Sequence, residues 1–306
     1  MKKELALDRW LFDSGSPTAL GLFRAVIGTF AAIDLSVHLP QYREWFTETG
    51  YFPIAGAQTW SNDNFRINFL NTVTSAGLVL ALYLLMIAAA ITTALGYKTR
   101  ISSGILAVLL VAFHHRTPVI LNSGDTLLRV SLIWLAIAPS GAGFSLDRSL
   151  ALRKGKSWKD SICLCWPRVV QIQIALVYFA TLWHKWYGPF WKDGTATFYP
   201  AHLAEFDRFW VPSIFDENLF FLRVETWGTL VAEFMLAVLV FYKPFRKWAL
   251  LGGLLLHGYI EYRFNIPFFG WIICSTYICF YTGEEVEAWL VRVKAFWNRN
   301  KTVPQP

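Results

Sequence analysis

Long apolar runs separated by short polar breaks dominate the chain, and most runs are apolar all round rather than striped on one face. Such runs mark helices surrounded by lipid or core, and a spanning helix needs roughly 20 apolar residues. The pattern predicts about eight: Thr18–Val37, Phe69–Leu95, Ile101–Leu121, Asp125–Pro139, Arg168–Trp186, Glu225–Tyr242, Trp248–Arg263 and Ile266–Tyr281. The fourth, seventh and eighth are short, so tilted spans or helical hairpins fit there. The expected fold is all-α: a polytopic membrane bundle at 18–285, a cytoplasmic segment at 1–17 and a cytoplasmic tail at 286–306. The opening MKKELALDRWLFDSGS is too polar for a cleavable signal, so the run from Thr18 is expected to remain as the first span.

Composition agrees: of 306 residues, 55% are hydrophobic and 17% aromatic, with a mean hydropathy of +0.39. These values exclude an ordinary soluble chain. The net charge of +7 does not indicate a nucleic-acid partner, because the basic residues lie between apolar runs instead of forming one face or tail. They report topology. With both termini placed inside, 18 Lys and Arg fall on the inner side and 8 on the outer, while Arg24 and Arg129 fall within spans. A bacterial inner membrane with both ends cytoplasmic is the expected location. Two long outer loops, His38–Asn68 and Tyr187–Val224, are rich in rings suited to the headgroup zone and are expected to fold over the outer face. The ending NRNKTVPQP reads as a disordered tail.

Ionisable groups in spans are costly and deserve a functional hypothesis. In this topology His114, His115, Asn122, Asp125, Arg129, Lys185, Glu225, Glu261 and Arg263 gather towards the outer side, with Glu233 and His257 deeper. That gathering predicts an outward or lateral cavity. Arg116, Arg223 and Arg263 read as charges reaching to the interface, and Arg24 and Asp34 as tethers between helices. Asp125 and Arg129 stand four apart, a spacing for a packing ion pair, with Asp125 as the helix cap. His257 and Glu261 share a face; a His/Glu hydrogen-bonded pair and a satisfied interior histidine both fit. Lys185, beside Trp183, Trp186 and Tyr187, fits a desolvated base, an outward-reaching cation or a cation–π contact. Cys163, Cys165, Cys274 and Cys279 read as unpaired thiols. His114–Arg116 lacks the i, i+4 histidine spacing of a helical zinc motif, so no metal is expected.

The runs NSGDTLLRVSLIWLAIAPSGAGFSLDR, Asn122–Arg148, and QIQIALVYFATLWHKWYGPFWKDGTATFY, Gln171–Tyr199, resemble the HTTM domain shared by vitamin K-dependent gamma-carboxylase and bacterial relatives. The aromatic first outer loop and the late His257 extend the resemblance over nearly the whole chain. It implies a lysine after the "YF" helix that deprotonates a reduced quinone, which falls on Lys185. It further implies reduced vitamin K or menaquinone as cofactor, and His184 or His257 fits as proton acceptor or relay because a neutral imidazole can do both near neutral pH. The chain ends about 25 residues after Tyr281, without the large extra-membrane portion of the animal carboxylase, so a small or lipid substrate is implied rather than a protein. A second reading is a non-enzymatic maturation, export or immunity partner of a secreted peptide, similar to the sporulation-delaying-protein B group. A transporter is the third, disfavoured because no internal repeat is visible.

Overall fold

The computed structural model describes residues 6–61 and 68–301, with the side chains of 61 and 299–301 excepted. Lys2, Lys3 and Arg66, used in the charge count, and the final residues 302–306 lie outside the described residues. The regular structure of the described residues is helical except for one minimal ladder, β1 (Ser14–Gly15) against β2 (Ile162–Cys163), and a single antiparallel bridge between Asp207 and Phe264. It divides into two compact units: 1–121, 125–168 and 281–306 form the first, and 122–124 with 169–280 form the second.

In the first unit, α1 (Ala6–Phe12) and β1 lead into α2 (Thr18–His38), whose buried face carries Leu20, Phe23, Ile27, Ala31 and Leu35 at helical spacing. The loop that follows holds α3 (Tyr42–Phe46) and α4 (Ile54–Ser61). Next comes α5 (Ala76–Leu95), started by the Ser75 hydroxyl, which accepts from the Leu78 N–H. It is stopped by Gly96 at φ 73°, whose N–H returns to the last turn. Gly28 lets α2 and α5 approach closely, since a Cβ there would lie 2.6 Å from the Ala94 nitrogen. Helix α6 (Thr99–Arg116) packs on α5, and Phe46, Tyr83 and Phe113 meet with ring centroids 5.0 to 5.7 Å apart. Then follow α7 (Ser123–Ile137), α8 (Leu146–Arg153) and β2.

The second unit contains most of α9 (Cys165–Tyr187), then α10 (Pro189–Asp193), α11 (Phe198–Ala201) and α12 (Ile214–Glu217), three short helices in the aromatic connection. Helices α13 (Leu219–Ala237), α14 (Lys243–Arg263) and α15 (Phe269–Thr276) complete it, α15 continuing as a 3-10 turn through Tyr277–Phe280. The chain returns to the first unit with α16 (Gly283–Lys301).

Each predicted apolar stretch coincides with a helix. Among the described residues, three helices are long and apolar enough to cross a membrane: Thr18–Phe46, Ala76–Leu95 and Cys165–Tyr187. On α5 the outward residues Leu78, Leu84, Leu85 and Ile91 are as apolar as the buried Val79 and Met86, as lipid contact requires. Helices α13 and α14 are of similar length but carry Glu225, Glu233, Glu261 and Arg263.

Several expectations change. Arg116 does not reach to an interface: it is 1% exposed and donates to the carbonyls of Phe52 (2.6 Å) and Thr47 (3.5 Å), holding the loop after α2. Arg263 is also buried, donating to Asp216 (2.8 Å) and to the Ala201 carbonyl (3.4 Å). Arg24 tethers its helix to a turn rather than to another helix, donating to the carbonyls of Ser140 and Phe144 between α7 and α8. Asp34 is not, because its carboxylate faces His38 one turn along the same helix (3.2 Å). Asn122, not Asp125, supplies the cap of α7, its side-chain oxygen accepting from the Gly124 N–H at 2.7 Å. The expected tail is helical through Lys301. All four cysteines are free thiols.

Candidate proton-transfer site

The expected site residues divide between the units: His114, His115, Asp125 and Arg129 belong to the first, and Asn122, Trp183, His184, Lys185, Trp186, His257 and Glu261 to the second. In the first unit, His114 and His115 end α6, where the Nδ1 of His114 is buried without a hydrogen-bond partner, and Arg129 donates to the Thr126 hydroxyl.

The second unit contains the densest buried polar chemistry. Tyr178 and Lys185 stand seven apart on α9, two turns along one face. Tyr178 is 3% exposed, and its hydroxyl lies 2.7 Å from His257 Nε2 of α14 and 2.6 Å from the Tyr277 hydroxyl beyond α15. Two glycines make room. A Cβ at Gly253 would collide with the Tyr277 hydroxyl, and one at Gly270 would lie 2.7 Å from the His257 carbonyl oxygen. The Phe269 ring closes the far side of the imidazole at 5.5 Å.

One hydrogen on each phenol gives this chain two senses. If Tyr178 donates to His257 Nε2, then Tyr277 must donate to Tyr178, and the imidazole hydrogen sits on Nδ1. If His257 donates from Nε2, Tyr178 donates onward to Tyr277 and Nδ1 is a bare lone pair. His257 Nδ1 is buried with no hydrogen-bond partner.

Further along α9, Lys185 donates to Glu233 Oε1 of α13, and its ammonium lies 4.6 Å from the Trp191 ring centroid of α10. The rings expected around it point elsewhere: Trp183 and Trp186 are 55% and 66% exposed, and His184 is exposed too. Neighbours one and two residues away on a helix are rotated by about 100° and 200°, so sequence proximity placed the wrong tryptophans beside the lysine. The other carboxylate oxygen, Glu233 Oε2, is buried without a partner. Because Tyr178 and Lys185 share one face of α9, the ion pair and the Tyr178–His257–Tyr277 chain lie on the same side of that helix.

Glu261 does not pair with the His257 side chain. Its Oε1 accepts from Arg208 (3.0 Å) and the Phe268 N–H (3.2 Å), and its Oε2 from the Gly270 N–H (3.1 Å). A carboxylate at the start of a helix satisfies N–H groups that lack an intrahelical partner, so Glu261 holds the beginning of α15 against α14. Glu225 accepts from the Tyr259 hydroxyl at 2.8 Å. Sequence reasoning named neither phenol of the chain as a site residue. The available signals were Tyr178 two turns before Lys185 and Glu233, a lone carboxylate deep in an apolar run.

Glu233 Oε2 is thus a buried acceptor next to a cation, and the two phenols and the imidazole form one hydrogen-bond chain. No curated protein and no solved structure matches the chain. The HTTM domain model matches residues 12–284, and the chain belongs to the HTTM family.

Proposed function

We propose that this HTTM-family chain is an eight-span membrane protein with both termini cytoplasmic, and that the second unit removes a proton from the hydroxyl of a lipid-soluble quinol. The observation that carries this reading is the Lys185–Glu233 pair, with one carboxylate oxygen buried and unpartnered. Helix α9 is long and apolar enough to cross a membrane, and Lys185 lies in its last turn. A hydroxyl donor would supply the partner that this buried oxygen lacks, and Trp191 offers a flat apolar surface next to the Lys185 ammonium. A bound quinol, reduced vitamin K or menaquinone, supplies an acidic hydroxyl and two electrons for dioxygen. Glu233 Oε2 takes the hydroxyl proton and becomes a neutral acid, and Lys185 holds that carboxyl group in place, its ammonium left to face the quinol anion. His184, exposed on another face of α9, has no part in this step.

The test uses purified chain in nanodiscs with reduced menaquinone or reduced vitamin K under oxygen, following quinone and epoxide by mass spectrometry. Turnover lost in both Lys185→Ala and Glu233→Gln, with folded protein, supports the reading. Turnover retained in Lys185→Ala, or absent from the wild type, removes it.

A specific observation favours the partner reading instead. Arg208 with Glu261 and Arg263 with Asp216 form mutual pairs, while Phe209 and Trp210 of the aromatic connection and Phe220 at the start of α13 are strongly exposed. Crosslinking from position 210 to one secreted peptide, together with an inert quinol assay, would establish that role.

A further inference from the structure

The first unit contains a cavity of about 720 Å³ that the quinol reading does not use. It lies at the polar end of α5, where the chain turns through Gly96 into α6, and Lys98, Arg100 and Lys159 contribute three cationic side chains. Only one carboxylate lines it, Asp147, and that group is already engaged. It accepts from the Lys98 N–H (3.0 Å), the Thr99 N–H (3.3 Å) and the Thr99 hydroxyl (3.3 Å). The start of α6 is thus satisfied internally, and the Lys98, Arg100 and Lys159 charges have no carboxylate partner among the cavity's other lining residues. Lys98 holds a left-handed backbone, φ 44°, in which a side chain other than glycine is unusual. Lys98 nevertheless lines the cavity, its ammonium 5.8 Å from the Tyr97 ring centroid, and Asp147 accepts from its backbone N–H.

The remaining wall is apolar and aromatic. Ile101 and Pro139 line it, and so does Trp158, whose indole N–H is anchored to the Ala142 carbonyl at 3.1 Å. The Trp158 segment is held down by Arg148, which donates to Asp160 at 2.9 Å and to the Ala142 carbonyl at 3.4 Å. Cations at a mouth with an indole and apolar walls match a lipid whose headgroup carries a phosphate and whose chains continue along apolar helix surface. Because α5 is long and apolar enough to cross a bilayer, its end falls at headgroup depth.

We infer that this cavity binds the phosphodiester headgroup of an anionic phospholipid, with Lys98, Arg100 and Lys159 as its cations and Trp158 as its interfacial wall. The site is separate from the residues of the quinol reading and stands whether or not that reading holds.

The experiment is native mass spectrometry of the full chain released from detergent, titrated with phosphatidylglycerol, with phosphatidylcholine of the same chains, and with inorganic phosphate. The wild type should bind one phosphatidylglycerol at least about tenfold more tightly than phosphatidylcholine. Arg100→Gln/Lys159→Gln should abolish that preference with thermal stability unchanged, while Arg292→Gln on α16 should preserve it. Lys98→Gly, which suits the left-handed backbone, should weaken the preference without unfolding the turn. Equal binding of the two lipids by the wild type overturns the inference, as does a preference that survives the double substitution. Loss in Arg292→Gln as well would reassign the effect to diffuse charge, and phosphate alone competing as well as the lipid would reassign the cavity to a free anion.

Discussion

Lys185 donates to one carboxylate oxygen of Glu233 and leaves the other buried without a partner. Replacing the lysine alone strands a buried carboxylate, whereas replacing both removes the charge altogether. Breaking a buried pair from one side costs about 3 to 5 kcal/mol. Lys185→Met should therefore lower thermal stability more than Lys185→Met/Glu233→Gln does. Thermal unfolding of both variants in one detergent measures the coupling, and simply additive losses would contradict it.

Tyr178 is the middle member of its hydrogen-bond chain. Tyr178→Phe leaves both His257 Nε2 and the Tyr277 hydroxyl without their observed partner, at about 1 to 3 kcal/mol for each stranded group. Tyr277→Phe strands none, because Tyr178 can still donate to His257. The expected order of melting temperatures is wild type, Tyr277→Phe, then Tyr178→Phe, and an inverted order of the two variants would refute this account.

Arg24 is 0% exposed and bridges two carbonyls beyond its own helix. Arg24→Met keeps much of the side chain's length and loses the donors, leaving the Ser140 and Phe144 carbonyls unsatisfied. A loss of about 1 to 3 kcal/mol is expected by chemical denaturation, with no change in lipid preference at the α5–α6 turn.

Helix α16 is attached to the start of α2 through carboxylates. Glu287 accepts from the hydroxyls of Ser16 and Thr18, each at 2.6 Å, and Glu284 from the Ser16 N–H at 3.0 Å. The Ser16 hydroxyl, and after it that of Thr18, holds the Glu287 carboxyl below its ordinary 4.5. A lowered carboxyl stabilises the fold fully above that ordinary value and ceases to do so as the pH falls through the lowered one. A nitroxide at Ala288 should thus be immobile at neutral pH and gain mobility as the pH drops below about 4.5. Ser16→Ala should be looser at neutral pH and show a shallower dependence.

The helices were legible because lipid-facing segments such as α5 are apolar on every side, a signal independent of neighbours. Their ends were less so. The run from Phe69 suggested a start there, yet Ser75 caps the helix and Ala76 begins it, while Pro118 follows the end of the helix expected to reach Leu121. Lys185 and His257 could be singled out because a charge or imidazole in an apolar run is conspicuous. Their partners could not. Tyr178 and Tyr277 look like ordinary membrane aromatics, and only the packing of α9, α14 and the turn after α15 brings their hydroxyls together. Glu261 shows the opposite failure: the i, i+4 spacing from His257 was real, but the N–H groups at the start of α15 and the Arg208 guanidinium compete for the same carboxylate.

Gly253 and Tyr277 occupy the same space in succession: the methyl that one lacks is filled by the oxygen of the other. The two positions are consequently not free to drift apart over time. Among chains of this fold, a side chain at the place of Gly253 should arise only alongside a residue without the ring at the place of Tyr277, because the ring carbon Cζ would also lie 2.9 Å from the added methyl. The exchange Gly253→Ala/Tyr277→Phe keeps that carbon and should remain destabilised.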